Sequence, residues 1–344
     1  MQAYSLDQVE RLRSHLAQDR QLYEVRPDGQ GGQHWQLVAA GDLGEFLPLA
    51  EPPPFSAKSF FFPERELLFR FSGGNFYSAL PVVCAQVLFG LHACDLQAVA
   101  YQDQFFAADP HYQTRRRVTL LVGIDCLHSC AGGFCSTLGS GPQVHADNAD
   151  LILLPRASAT ADWLLLVASS AGAAALRGLD LPPAQDDWQA ERNANSVCVT
   201  QEQGAQREVL EGIASLNQGL IDTQTWDEIG LRCLGCSGCT SVCPTCSCFA
   251  PLDLPLELPT EAGSQRERVW DSCLYQGFQQ EASGQNPTVS AGARVQRFWS
   301  HKFGDSFKAQ FGSYGCVGCG RCDRVCPGGI GVHGVMHKVG ACSS

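Results

Sequence analysis

Two rhythms of apolar residues run through the first half of the chain. Leu6, Val9, Leu12 and Leu16 recur at near-helical spacing, and Ser5 with Gln8 has the form of a capping box, so an amphipathic helix is expected to open the chain. Residues 35–40 read as a strand. From residue 81 to about residue 181, compact apolar runs at 87–91, 118–124, 151–154 and 164–168 alternate with polar, helix-compatible segments. Such runs describe strands buried on both faces, which predicts an α/β-type domain. The most apolar stretch, 163–176, is too short to cross a bilayer and reads as a buried strand followed by a small-residue helix.

Punctuation divides the rest. Leu47-Pro-Leu-Ala-Glu-Pro-Pro-Pro54 is extended of necessity, because successive prolines exclude helix. A loop around 181–188 marks a boundary. The expected architecture is α+β: an N-terminal α/β-type domain over 1–190, then a mainly helical domain over 191–344. Val209, Leu210, Ile213 and Leu216 mark one helix, and aromatics at 298, 299, 303, 307 and 311 mark another. The proline-punctuated 251–259 and the small-residue stretch 284–292 are expected to be irregular.

Composition narrows the class. The chain has 344 residues, 44% hydrophobic and 17% charged, with a formal charge of −11. Its length supports two cores, and its acidity argues against nucleic acid or an anionic membrane as partner. The first ten residues show no basic region leading into an apolar run, so a cytoplasmic protein without membrane insertion is expected. No G-x-G-x-x-G follows an expected strand, and neither a Walker motif nor a nucleophile elbow occurs, so no flavin or nucleotide site is expected on this chain.

Cysteine changes the picture most, with 18 in the chain. Cys233, Cys236, Cys239 and Cys243 form a C-x2-C-x2-C-x3-C-P run, matched position for position by Cys316, Cys319, Cys322 and Cys326. That is the ligand spacing of bacterial ferredoxins, in which the fourth cysteine serves the other cluster. Two [4Fe–4S] clusters follow: one on Cys233, Cys236, Cys239 and Cys326, the other on Cys316, Cys319, Cys322 and Cys243. The two runs form one split ferredoxin-like unit with an insertion at 244–315. Structural zinc is the bland alternative, although two complete runs ending in Cys-Pro exceed what a zinc site needs. Glycines between the ligands let backbone N–H groups approach cluster sulfur.

Cys94, Cys126, Cys130 and Cys135 lie in strand-end loops of the N-terminal half and are enough for a third cluster. The alternative is that they pack as small hydrophobes. Cys246, Cys248 and Cys273 could shield or supplement the clusters, whereas Cys84, Cys198 and Cys342 are isolated. His333 and His337 stand four apart, a pair more often structural than metal-binding.

The residues from Arg232 through Cys243-Pro-Thr-Cys246-Ser-Cys248-Phe249, then Trp270-Asp-Ser-Cys273, His301-Lys-Phe303 and Cys316-Val-Gly-Cys319-Gly-Arg-Cys322 carry a resemblance. Lys58-Ser-Phe-Phe-Phe-Pro63, Cys94-Asp95-Leu96, Asp109 with Tyr112, and Gly123-Ile-Asp-Cys126 extend it through the N-terminal half. The chain resembles the iron–sulfur β subunit of cytoplasmic sulfhydrogenases, a family that also includes an iron–sulfur component of anaerobic sulfite reductase. The resemblance implies an electron-transfer subunit of a hetero-oligomer, with no substrate of its own. It would relay electrons between a flavin-containing, NAD(P)H-reacting subunit and a catalytic subunit, most simply that of a NiFe hydrogenase, with a sulfite or sulfur reductase as alternative host. A metal-stabilised scaffold without redox function is an alternative of another class, and so is a reductase with its own pocket near Asp95 and residues 115–117. The resemblance also favours the third cluster, with one departure. Where the family shows Cys-Phe-Cys, this chain has Gly133-Phe134-Cys135, so Cys130 is the substitute ligand to expect. The glycine-rich segment after Cys326 departs as well.

Overall fold

The buried apolar runs become the middle of a mixed sheet. A computed structural model describes residues 1–39, 41–156, 163–184, 187–256 and 263–341. In chain order the first half contains β1 (Gln2–Leu6), α1 (Val9–Leu16), β2 (Gln21–Pro27), β3 (Gln33–Val38), β4 (Arg65–Ser72) and β5 (Asn75–Ser78). It continues through β6 (Gln86–His92), α2 (Ala93–Phe105), α3 (Pro110–Arg117), β7 (Thr119–Ile124), β8 (Leu151–Pro155), β9 (Trp163–Val167) and α4 (Ser170–Ala175). The seven-stranded sheet runs β1-β9-β8-β7-β6-β2-β3, with β2, β6, β7 and β8 parallel. Every residue of β7 and β8 is buried, as continuous apolar runs require of strands covered on both faces. One face packs on Leu12 and Leu16 of α1, the other on Leu96 and Val99 of α2.

The opening differs from expectation. Ser5 lies in β1, where it pairs with Leu164 of β9, and its N–H bonds Pro182 O at 2.9 Å. The helix therefore begins only at Val9, with Gln8 as N-cap and no side-chain capping bond. Ala40, at the end of the strand expected over 35–40, and Cys342 lie outside the described residues.

The second half contains α5 (Trp188–Gln203), α6 (Arg207–Gln218), α7 (Thr223–Gly230), α8 (Gly238–Val242), β10 (Phe249–Pro255) and β11 (Gly263–Trp270). It ends with α9 (Ala291–Phe303), α10 (Asp305–Phe311), α11 (Arg321–Val325) and α12 (Val332–Gly340). The expectation of irregular chain at 251–259 is corrected by β10, with 257–259 outside the described residues. A four-stranded sheet runs β10-β11-β4-β5, so β10 is an edge strand, the one place where Pro251 and Pro255 cost few ladder bonds. β11, from between the two cysteine runs, pairs with β4 of the N-terminal half. The expected aromatic helix is broken at Gly304, whose extended backbone separates α9 from α10. The chain before Ser290, the N-cap of α9, is irregular as anticipated. Among the described residues no helix is long and apolar enough to cross a membrane.

Arg13 on α1 is fully buried in the N-terminal core. Its Nε and Nη2 donate to the two carboxylate oxygens of Glu24 at 2.5 and 2.8 Å, and its remaining N–H groups reach Gly44 O and Leu43 O. Arg13 thereby ties helix, sheet and the chain leading into the proline segment together. Arg13→Met leaves the buried Glu24 with only the longer 3.5 Å contact to Arg26 and is expected to lower stability by about 3 kcal/mol. A urea unfolding midpoint unchanged from the parent would contradict this.

Candidate metal centres

Each C-terminal cysteine run is a loop followed by one short helix, α8 in the first and α11 in the second, and the two helices pack against one another. This pairing brings the tail of each run toward the head of the other. Cys233, Cys236 and Cys239 share a pocket with Cys326, backed by Val295, Phe298 and Trp299. Burial pushes the Cys239 thiol up to about 12, helped by the neighbouring thiols of Cys243, Cys233, Cys326 and Cys236.

The other grouping contains Cys316, Cys319 and Cys322, with Cys243 as neighbour of Cys316 and Cys319. All three thiols are pushed up, first by burial, and for Cys316 this is partly offset by the Gly318 N–H at 3.4 Å. Cys243 goes the other way. A bond from the Cys246 thiol lowers it most, followed by the Lys302 ammonium, the Thr245 hydroxyl at 3.2 Å and Lys58. Lys302 is buried and donates to Thr245 Oγ1 at 2.8 Å. Burial alone would discharge it, but the neighbouring sulfurs, the Cys243 thiolate first among them, hold its proton more tightly than usual. Lys58, also buried, donates to Thr240 O at 3.0 Å and lies 4.0 Å from the Trp270 ring, and its pKa is pushed down by burial.

The four N-terminal cysteines also converge. Cys94 at the start of α2, Cys126 after β7, and Cys130 and Cys135 in the following loop line one open pocket of about 180 Å³. All four thiols are pushed up, first by burial, with Cys130 reaching about 11. Gln203 of α5 donates to Cys135 Sγ at 3.2 Å while its carbonyl oxygen accepts from Ser136. Asp125, beside Cys126, is held by Arg192 at 2.5 and 3.1 Å and accepts from the Val144 N–H. A Cβ added at Gly133 would run into Cys130 Sγ, so the Cys130 thiol occupies the space that a side chain at 133 would take.

The N-terminal loop is clamped onto the second run. Phe134 N–H donates to Gly318 O at 2.8 Å, and a Cβ at Gly318 would lie 2.7 Å from the Phe134 carbonyl carbon. Gly318 is thus required by this close approach as much as by any sulfur contact. Arg321 is almost wholly buried and donates to both carboxylate oxygens of Asp95 at 2.7 and 2.8 Å, and to Pro53 O at 2.8 Å.

Donor chemistry and spacing decide what these sites fit. Among the described residues, no three His, Cys, Asp or Glu side chains converge on a point where a single ion could be held. A tetrahedral zinc site draws its ligands to about 2.0–2.3 Å from one centre. An iron–sulfur cube takes one thiolate on each of four irons, so its cysteines stand apart around an open space, as they do in both pockets. His333 and His337 are engaged by Asp323 at 2.9 Å and Glu208 at 3.1 Å. Arg115 and Arg116 are paired with Glu66 and Asp103, and Asp95 with Arg321. Cys84 and Cys198 are exposed.

Several contributors were not legible as such. Lys58, Lys302 and Asp95 lie inside the motif stretches, but nothing local says that the lysines are buried beside thiolates or that Asp95 answers an arginine more than 200 residues away. Gln203 and Arg192 carry no sequence signal.

Paired four-cysteine runs, folded so that each tail meets the other's head, define an iron–sulfur electron-transfer protein. The 4Fe-4S dicluster domain family matches residues 232–330. Sulfhydrogenase 2 subunit beta of Pyrococcus furiosus (strain ATCC 43587 / DSM 3638 / JCM 8422 / Vc1) is 31% identical over 257 residues, covering 71% of this chain and 71% of that protein. The chain belongs to the family of sulfhydrogenase iron–sulfur β subunits. No solved structure matches it.

Gly133→Ala is expected to push Cys130 out of the N-terminal pocket. With Cys130 as a ligand there, bound iron falls by up to about four atoms while the C-terminal sites keep theirs. Unchanged iron in that variant would exclude Cys130 as a ligand.

Proposed function

We propose that the chain relays electrons through three [4Fe–4S] clusters between a flavin-containing, NAD(P)H-reacting subunit and the catalytic subunit of a cytoplasmic NiFe hydrogenase. The observation that carries this reading is the pocket in which Cys326 of the second run joins Cys233, Cys236 and Cys239 of the first. By the same crossing, Cys243 completes the set of Cys316, Cys319 and Cys322. The third set is Cys94, Cys126, Cys130 and Cys135, which share their own pocket.

Each cluster supplies reversible one-electron exchange at a thiolate-ligated cube. The protein's part is to hold the cubes in line and keep water from them. Cys94 and Cys135 of the N-terminal set share one buried apolar cluster with Ala98, Val317 and Cys319, which makes the N-terminal and second-run sites neighbours. The exchange of Cys243 and Cys326 makes the two C-terminal sites neighbours in turn. The relay therefore runs from the N-terminal site through the second-run site to the first-run site. At its far end Cys236 is exposed, flanked by Leu231 and Leu234 at 87% and 73% exposure, a surface suited to handing an electron to another subunit. The relative's name, a sulfhydrogenase subunit, supports a hetero-oligomeric host.

Iron and acid-labile sulfide in the anaerobically prepared chain test the reading. About twelve iron atoms are expected from three cubes, and about eight from the C-terminal pair alone. Cys319→Ser should lower the count by up to about four atoms. An undiminished count in Cys319→Ser, or iron well below eight in the parent, would overturn the assignment.

A further inference from the structure

Three cysteines outside the three ligand sets, Cys246, Cys248 and Cys273, gather beside the second-run site. Cys248 immediately precedes β10, and its carbonyl accepts from Asp271 N–H at 3.0 Å, so the end of β11 is held against it. This contact delivers Cys273, two residues further on. The Cys248 and Cys273 thiols are hydrogen-bonded to each other, whereas Cys246 bonds Cys243, already committed to a cluster. Cys273 is 5% exposed, and Cys248 lines a small pocket with Ser241, Asp271 and the buried Lys58. Both thiols lie within the electrostatic reach of Lys302 and Arg297.

We propose that Cys248 and Cys273 are a dithiol/disulfide couple that exchanges two electrons with the neighbouring [4Fe–4S] clusters. On oxidation the Cys248 thiolate and the Cys273 thiol together lose one proton and two electrons, one S–S bond forms, and one electron enters each of two oxidised clusters. The proton leaves through the pocket lined by Ser241 and Asp271. Reduction is the reverse, with two clusters each giving one electron. Contact between the sulfurs is the first requirement for a bond between them, and the pairing of β10 with β11 holds the two backbones in register for it. The positive charge of Lys302 and Arg297 favours the Cys248 thiolate, the form from which an electron is most readily withdrawn. The Cys273 thiol bond, ahead of the opposing effect of burial, brings Cys248 down to about 6, so a nucleophilic sulfur is present at neutral pH. Lys302 also faces Cys243 and Cys316, so the couple and the second-run site share one buried cation.

The couple would join one-electron carriers to two-electron chemistry within a single chain. This rests on the cluster reading, and the test separates the two. The anaerobic holoprotein is poised at a series of potentials with redox mediators, quenched in acid, alkylated and digested, and the peptides are weighed. A Cys248–Cys273 linked peptide should appear and disappear in one two-electron transition. Reductive coulometry should take up about two more electrons per chain in the parent than in Cys273→Ser at equal iron content. No linked peptide at any potential that leaves iron intact, or iron loss in Cys273→Ser or Cys248→Ser, would overturn the proposal. Iron well below eight atoms in the parent would instead sink the cluster reading, whatever the peptides show.

Discussion

One buried ion pair joins the halves of this molecule. Arg321, inside the second cysteine run, donates twice to Asp95, next to Cys94, and a third time to the proline segment at Pro53. Neither charge has water to fall back on, so each requires the other. Removing one partner of such a pair typically costs about 3–5 kcal/mol, whereas the intact pair contributes little net stability, so its effect lies in specificity. Only one placement of α11 against α2 satisfies it. With that placement set, the loop from Cys130 to Cys135 closes onto Gly318, and Cys94, Cys135 and Cys319 come into one buried cluster.

The thiol environment explains why such a protein is assembled around its metal. Burial pushes Cys94, Cys126, Cys135, Cys316, Cys319 and Cys322 upward, so in the empty chain these groups hold their protons. Thiolates bind iron, so loading must displace those protons, and metal binding is coupled to both folding and pH. Cys243 is the exception, held as thiolate by Cys246 and the buried Lys302. Positive charge is concentrated on Lys302 and Lys58 beside Cys243, and there it offsets the negative charge of the thiolate.

Much of this was legible from the cysteine spacing and the apolar runs. The strand at 151–154 is written in continuous Leu and Ile, that at 118–124 in Val, Leu and Ile broken only by Thr119 and Gly123, and the meeting of the two cysteine runs in two identical spacings. Local signals failed where tertiary pairing outweighed them. Ser5 has the right residues for a capping box but is drawn into β1 by β9, and Pro251 and Pro255 read as irregular although an edge strand tolerates them. The pairing of β4 with β11 joins segments about 200 residues apart and leaves no local trace. Gly133 looked like a missing ligand. Its significance needed the fold, in which the Cys130 thiol fills the space beside it.

A relay requires that these cysteines hold clusters close enough to pass electrons. Stepwise anaerobic reduction of the purified chain, followed by electron paramagnetic resonance with spin quantification, tests this most directly. Up to about three spins per chain are expected, broadened by magnetic interaction between neighbouring clusters and appearing in successive one-electron steps. A chain that binds its full iron but develops no spin on reduction would contradict it.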